Sequence, residues 1–488
     1  MATSSLPASS LLALAERNAA LHPDRLAFAG PTDRYTWAAL LSRAGAVATA
    51  MERHRLAPGD RVCLCLPSAP VWVVAFLALR RLGLTAVSIG DQPRPAELQA
   101  LSSRFDIRLL LTNGHRASAT AGDAPVLDVA SVTGAPPPKP RRHDAALIHL
   151  TSGSSGAPKG VLRTEADLTE EACNVAAALR LAPGDAVLCA TPVFHSFASG
   201  LLTASMHAGV PCLLMDRLAP ATLLETARRH CATVIAGVPY VFQTLIALTS
   251  NETLPSLRLA ASGGAHLSSD TAARFEARFG ARLVQEYGLS EAGIVTLNLD
   301  GPAGSVGAPI PNVELSIVDA ADPSRELPQG ATGEVVVRRA SPPAGYLDHP
   351  MDSRGTFTPY GIRSGDLGCL DEAGRLTLTG RIKAMINVAG AKVAPREVED
   401  ALLTHPNITE AVAFALPDAF LGEAVAAVVV PNAGAAVTEQ ALREHCRGLL
   451  SVYKVPAVIR VAKKLPRTVS GKPDLPRIRS EFAPRRYP

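Results

Sequence analysis

Thr151-Ser-Gly-Ser-Ser-Gly-Ala-Pro-Lys-Gly-Val161 follows directly on an apolar run, Ala145 to Thr151, that reads as a strand. A loop this rich in glycine and hydroxyls can wrap phosphate oxygens with backbone N–H and side-chain O–H donors, and Lys159 adds a positive charge. Thr151, Ser152, Ser154, Ser155, Gly156 and Lys159 are therefore candidate phosphate ligands. An ordinary Gly/Ser turn is the bland alternative, and the closing Pro158-Lys159-Gly160 weakens it. The spacing also excludes the Walker A loop, which needs Gly-Lys-Ser/Thr, because Pro158 precedes this lysine and Gly160 follows it.

Outward from this loop, helical and strand patterns alternate. Ser9 to Ala20, Trp37 to His54 and Val71 to Leu82 have helical periodicity, while Asp60 to Leu66, Thr85 to Ser88 and Arg108 to Thr112 read as strands. A Pro-rich linker, Gly134 to Arg142, leads into the strand before the loop. Beyond it come strands at Val187 to Ala190, Pro211 to Met215, Thr233 to Ala236 and Leu257 to Ala261. This is βαβ grammar and predicts parallel sheets covered by helices. From Asn312 to Leu378 the texture changes to short strands separated by turns, such as Glu334 to Arg338 and Arg375 to Thr379, which predicts a small β subdomain. After Gly380 the order reads helix, strand, strand, helix, strand, a compact α+β unit.

At 488 residues the chain is too long for one compact core. Its 47% hydrophobic and 19% charged residues are the balance of a soluble globular protein. The N-terminus lacks a basic cluster followed by an apolar run, so no signal peptide is expected. The apolar stretches are too short to span a bilayer, so membrane insertion is not expected either. Cysteines are scattered without metal-ligand spacing, and Cys63 and Cys65 read as core residues of one strand. A reduced, cytoplasmic setting fits. The net charge of +4 is concentrated near the C-terminus, where Arg447, Lys454, Arg460, Lys463, Lys464, Arg467, Lys472, Arg477, Arg479, Arg485 and Arg486 face only Asp474 and Glu481. Either this is a solvated face or it meets an anionic partner; nucleic acid is disfavoured because no groove-reading motif accompanies the charge.

Further motifs follow in order. They are Ser262-Gly-Gly-Ala265, Glu286-Tyr-Gly-Leu-Ser-Glu-Ala292, Gly333-Glu334, Gly345-Tyr346, Ser364-Gly-Asp366, the segment Gly380-Arg-Ile-Lys-Ala-Met-Ile-Asn-Val-Ala-Gly-Ala-Lys392, and Leu465-Pro-Arg-Thr-Val-Ser-Gly-Lys472. Together with the Gly/Ser loop they resemble the motifs of the adenylate-forming superfamily of acyl-CoA synthetases, peptide-synthetase adenylation domains and luciferases, over nearly the whole chain. Ser290 stands where the commoner residue is Thr, which keeps the hydroxyl.

The resemblance implies a nucleotide site formed by the loop with Gly263, Gly264, Ala265, Glu286, Tyr287, Ser290, Asp366, Arg381 and Lys392. In it Tyr287 stacks on adenine, Ser290 touches phosphate and Asp366 binds the ribose hydroxyls. Glu291 holds Mg²⁺, for which an oxygen ligand is chemically suitable. Lys472 is the implied catalytic lysine, Lys383 the hinge, and Gly390 lies beside the path of the acceptor thiol. His195 gates the carboxylate pocket, whose walls are implied to include Phe197, Val238, Phe242 and Gly288. Amino-acid activators place an acid just after Phe194; here His195-Ser196-Phe197 follows, so an aliphatic or aromatic acid is expected.

The expected fold is α/β, with a large N-terminal region of helix-covered sheets plus a small β subdomain, near 1–380, and a mobile α+β C-terminal domain, near 381–488. The expected activity is activation of a carboxylic acid with ATP and Mg²⁺ to an acyl-AMP, then transfer to coenzyme A. The rival acceptor is the phosphopantetheine thiol of an acidic carrier protein acting in trans. An inactive relative serving as a binding protein is the third reading, and the joint presence of Lys159, Glu291, Asp366, Arg381 and Lys472 argues against it.

Overall fold

The structure, a computed structural model, describes residues 10–90, 93–114, 124–151, 159–217, 219–249, 252–347, 349–418, 420–432, 434–468 and 471–482. The chain divides into two compact units. The first comprises Met1–Asp300, Gly307–Glu314 and Val337–Ile362, and the second Gly301–Val306, Leu315–Val336 and Arg363–Pro488.

The first unit holds two large sheets. One runs in the spatial order Ala308–Pro309, Gly293–Leu297, Arg282–Leu289, Leu259–Ser262, Val234–Gly237, Val187–Cys189, Cys212–Leu214, Leu26–Ala29, Arg34–Thr36. Its middle strands are parallel, short and apolar, as strands covered on both faces must be. Leu223, Val241, Phe242 and Phe275 from the flanking helices pack with Leu188, Ile235 and Ala260 of these strands. Register fixes what matters for function. Cys189 lies opposite Ala236, Gly237 opposite Ser262, and Ser262 opposite Gln285. The loops leaving these strands therefore emerge side by side at the carboxyl edge, where open parallel sheets take their ligands.

The other sheet runs Gly345–Tyr346, Lys159–Thr164, Ala145–Thr151, Thr85–Ile89, Arg61–Cys65, Ile107–Thr112, Val126–Asp128. Its hairpin of Ala145–Thr151 and Lys159–Thr164 pairs Thr151 with Lys159 and so closes the Gly/Ser loop. Cys63 and Cys65 are buried in its core with their sulfurs 3.7 Å apart, as expected for packing residues.

In the second unit, the strand Gly422–Pro431 pairs antiparallel with Ile408–Asp418 and parallel with Val458–Val461. Successive side chains on a strand face opposite sides. Val425, Ala427 and Val429 accordingly pack with Val398, Leu402 and Leu442, while Ala426, Val428 and Val430 pack with Phe414, Leu465 and Ile478. The expected helix, strand, strand, helix, strand order runs from Pro395–Leu403 to Val458–Val461, and elements that were not expected flank it. A hairpin, Ile386–Val388 with Ala391–Val393, precedes the first helix, Pro395–Leu403, and a helix, Leu475–Phe482, follows the last strand. Three-residue strands interrupted by Asn387 and Lys392 carry too little alternation to be read from sequence.

Candidate functional site

At the carboxyl edge of the first sheet, His195 caps the N-terminus of the helix Ser196–Ala208, with its ring 4.7 Å from that of Phe194. Gly263 and Gly264 follow the strand Leu259–Ser262 directly, and Ala265 lies half-buried beyond them. A Cβ on Gly263 would fall 1.9 Å from Oε2 of Glu286 and 3.2 Å from the Phe197 ring. Gly288 likewise leaves room for Glu286, whose Oε1 would lie 2.6 Å from a Cβ there. Glycine at both positions thus lets the buried Glu286 carboxylate and the Phe197 ring close on the strand ends. Tyr287 is buried beside them, paired with Thr296. Val238 caps the helix Pro239–Ala247 and is buried in the core. Phe242 is fully buried in the same core and packs edge-on to Phe275 at 5.3 Å.

The second sheet brings Lys159 and Glu291 to a common side chain. Backbone pairing sets Tyr346 opposite Val161, two residues beyond Lys159. The Lys159 Nζ lies 5.0 Å from the centroid of the Tyr346 ring and 2.7 Å from Asp352. The Tyr346 hydroxyl donates to Oε1 of Glu291 at 2.6 Å. Burial, and then the Glu291 charge, raise the phenol's pKa, so it remains a donor. Ser290 is half-buried next to Glu291, and Thr151 Oγ1 donates to the Lys159 carbonyl at 3.4 Å. Ser152, Ser154, Ser155 and Gly156 lie outside the described residues.

Two buried groups were not anticipated. His149, on the strand before the loop, contacts the Phe194 carbonyl through Nδ1 at 3.2 Å and the Ser199 hydroxyl through Nε2 at 3.0 Å. Burial, reinforced by the charge of Arg163, lowers its pKa to about 3, so it is neutral. Nδ1 must then carry the proton, because a carbonyl only accepts. The second group is Arg163, fully buried with Nε 2.6 Å from Asp167 and Nη2 2.8 Å from Glu171. A run of charge in Arg163-Thr-Glu-Ala-Asp-Leu-Thr-Glu-Glu171 reads as a solvated helix start. The usable signal was the helical spacing that puts Asp167 and Glu171 on one face, toward the strand that carries Arg163.

In the second unit, strand register sets Asp366 opposite Arg381, and the buried Asp366 carboxylate accepts from Arg381 Nε at 2.5 Å. The turn before it is tightly held. Gly365, at φ +70, donates its N–H to Glu334 at 3.1 Å, and Arg363 Nε donates to the same carboxylate at 2.9 Å. Lys383 is exposed on the short 3-10 turn Ile382–Ala384. Gly390 sits at φ +90 after Ala389 at φ +50 in a two-residue hairpin turn, a conformation that favours glycine, and among the described residues nothing lies within 4 Å of a Cβ there. Lys392 is exposed opposite Asn387. Lys472 is exposed, the Thr468 N–H donates to its carbonyl at 2.9 Å, and Arg467 donates to Gly471 O at 2.8 Å and forms an ion pair with Glu410.

Residues 15–347 match the AMP-binding enzyme family and residues 397–472 its C-terminal domain. The chain belongs to the AMP-binding enzyme family. It is 32% identical over 493 residues to the sulfoacetate–CoA ligase of Cupriavidus necator, covering 95% of this chain and 96% of that protein. It is 32% identical over 450 residues to the oxalate–CoA ligase of Arabidopsis thaliana, covering 85% and 87%. Its fold is similar to that of ATP-bound MatB from Rhodopseudomonas palustris, with a TM-score of 0.86 and 27% identity over 96% of this chain and 99% of that one. In this AMP-binding enzyme residues 348–396 fall between the two matched regions, and with them Asp366, Arg381, Lys383, Gly390 and Lys392.

Proposed function

We propose that this AMP-binding enzyme is an AMP-forming acid–thiol ligase. It activates an aliphatic or aromatic carboxylic acid with ATP and transfers the acyl group to coenzyme A. The convergence of Lys159, Tyr346 and Glu291 from three separate motifs carries this reading. A cation for phosphate oxygens and a carboxylate for a metal then stand within reach of one tyrosine. The names of the relatives, CoA ligases for sulfoacetate and oxalate, support the acceptor.

In the first half-reaction the acid's carboxylate oxygen attacks the α-phosphorus and pyrophosphate leaves. In the second the thiol displaces AMP from the acyl adenylate. The Gly/Ser loop and Lys159 bind the phosphates, Tyr287 stacks on adenine, and Asp366 accepts from the ribose hydroxyls with Arg381 holding it in place. Lys472 stabilises the charge that develops between carboxylate and phosphate. His195 and Phe197 border the acid. The C-terminal domain near 381–488 turns about Lys383 between the half-reactions and then presents the Gly390 turn to the thiol.

The chain's residues fit Mg²⁺ in one particular way. Among the described residues there is no group of three or more His, Cys, Asp or Glu that could cage a metal. Glu291 alone would hold it, together with ATP phosphates, which is how Mg²⁺ is commonly bound. When bound, the ion neutralises charge on the phosphate oxygens.

Chromatography of the nucleotide products across an acid panel tests the proposal. AMP and pyrophosphate are expected, and ADP as main product would overturn it. Acceptor assays with coenzyme A and with a phosphopantetheinylated acidic carrier protein then separate the two thiols, with faster turnover on coenzyme A expected.

A further inference from the structure

Ser290, Glu291 and Ala292 form the loop of a hairpin whose strands, Arg282–Leu289 and Gly293–Leu297, pair Leu289 with Gly293. Both peptide groups flanking Gly293 are held by buried side chains from elsewhere. Arg339 donates through Nη1 to the Ala292 carbonyl, and Glu171 accepts the Ile294 N–H through Oε1 at 2.9 Å. Glycines shape the space around that carboxylate. A Cβ on Gly293 would fall 2.2 Å from Glu171 Oε1, and one on Gly200 would fall 2.7 Å from it. Glu171's other oxygen takes Arg163, whose Nε is held by Asp167, and Asp167 in turn caps its own helix through Thr164. The Arg163, Asp167, Glu171 and Arg339 side chains are all buried, so their positions are set by one another and not by solvent. A buried ion pair is weak evidence for a stabilising role, because well-packed apolar residues often serve as well or better. What an apolar pair could not supply is an acceptor for Ile294.

We propose that Glu171, oriented by Arg163, is a positioning residue for the reaction: it fixes the exit of the Ser290–Ala292 loop and thereby the stance of Glu291 toward the metal-bound nucleotide. This rests on the nucleotide reading of Glu291 given above. Two double variants separate positioning from charge balance. R163M/E171Q removes two of the three buried charges of the Arg163, Asp167 and Glu171 group, with Asp167 retained alike in both variants, and leaves an amide oxygen for the Ile294 N–H. R163M/E171M removes the same two charges and the acceptor, leaving a buried donor unpaired.

The wild-type product assay comes first, and formation of AMP and pyrophosphate secures the underlying reading independently. The full-length variants are then compared for thermal midpoint, KM for Mg·ATP, KM for the acid, and binding of a non-hydrolysable ATP analogue with and without Mg²⁺. R163M/E171Q is expected to stay within about threefold of wild type for Mg·ATP. R163M/E171M is expected to rise about tenfold or more, with the acid KM unchanged and the Mg²⁺-dependent gain in analogue binding diminished. Equal Mg·ATP parameters in the two variants, or an equal loss on acid and nucleotide, would overturn the proposal. Should R163M/E171M fail to fold, Gly200→Ala serves instead. Its methyl crowds Glu171 Oε1 without touching the charges, and the same loss of Mg²⁺-dependent analogue binding is expected; unaltered binding would count against the proposal.

Discussion

The phenolic oxygen of Tyr346 lies 2.6 Å from Oε1 of Glu291, although the two residues are 55 positions apart in the chain. Tyr346 is held there by backbone pairing with the strand that begins at Lys159. The hydrogen bond therefore connects the strand behind the phosphate loop to the carboxylate assigned to Mg²⁺.

Tyr346→Phe keeps the ring, and with it the contact to Lys159, but frees Glu291 from its donor. Hydrogen bonds to charged groups contribute about 1.5–3 kcal/mol, and the low end applies to a half-buried pair. The KM for Mg·ATP should rise about tenfold, while the KM for the acid hardly moves. Pyrophosphate exchange at several Mg²⁺ concentrations measures this. An unchanged Mg·ATP KM would mean that Tyr346 does not orient Glu291.

Lys472→Ala should cripple acyl-AMP formation and leave thioester formation from synthetic acyl-AMP largely intact. The lysine side chain is exposed, and the backbone bond from Thr468 to its carbonyl does not depend on it. The substitution should therefore leave the fold undisturbed. Single-turnover assays of each half-reaction decide, and an equal fall in both would remove the role given to Lys472.

Legibility followed the range of the interactions. The parallel strands were readable because most are short, mainly apolar runs bounded by turns; Val187–Cys189 ends one residue before its expected bound and Val234–Gly237 is shifted by one residue. The family motifs were readable because each is local. Lys159, Tyr346 and Glu291 are visible one by one in sequence, but nothing local says that one side chain joins them. That relation depends on the strand Gly345–Tyr346 adding to a sheet built nearly two hundred residues earlier. The burial of Arg163 and Glu171 is not legible in sequence, because composition carries no record of burial. The packing of Phe242 against Phe275 is hidden for a related reason, because an aromatic residue after a strand suits a pocket wall or a core equally.

His149 should make the first unit acid-sensitive. Its pKa is about 3 in the folded protein against 6.5 ordinarily. Between these values the unfolded chain binds a proton that the folded chain does not. Stability therefore rises with pH across this window and is lost as pH falls below about 6.5, by at most about 1.4 kcal/mol per pH unit for a single group. His149→Gln should be less stable at pH 7, since it disturbs the bonds to Phe194 and Ser199, yet lose less on going from pH 6.5 to 4.5. Both tryptophans, Trp37 and Trp72, lie in the first unit, so their fluorescence during urea unfolding reports on it. Identical acid losses in the variant and the wild type would show that His149 does not titrate in this way.

The basic C-terminal stretch should affect the acceptor more than the acid, but fewer of its charges are free than the sequence suggests. Lys454 pairs with Glu397 at 2.6 Å, Arg460 with Glu439 at 2.6 Å and Arg477 with Glu481 at 2.6 Å, and Arg467 pairs with Glu410. Three of those acids lie upstream of the stretch, where a local count of charge does not look. Arg479 lies over the Phe414 ring at 5.7 Å. Lys463 and Lys464 are exposed and make no ion pair among the described residues, so they are the better candidates to meet an anionic thiol donor. The double reversal K463E/K464E should raise the acceptor KM several-fold and leave the acid KM unchanged. Salt should act in the same direction on the wild type, because exposed charges are screened beyond about 8 Å near physiological ionic strength. A carrier protein should show the steeper salt dependence, since it presents a larger charged surface than coenzyme A. Acceptor kinetics at two ionic strengths, for the wild type and the reversal, measure both effects. If the acceptor KM is the same in all four conditions, these lysines belong to a solvated face and take no part in binding the thiol donor.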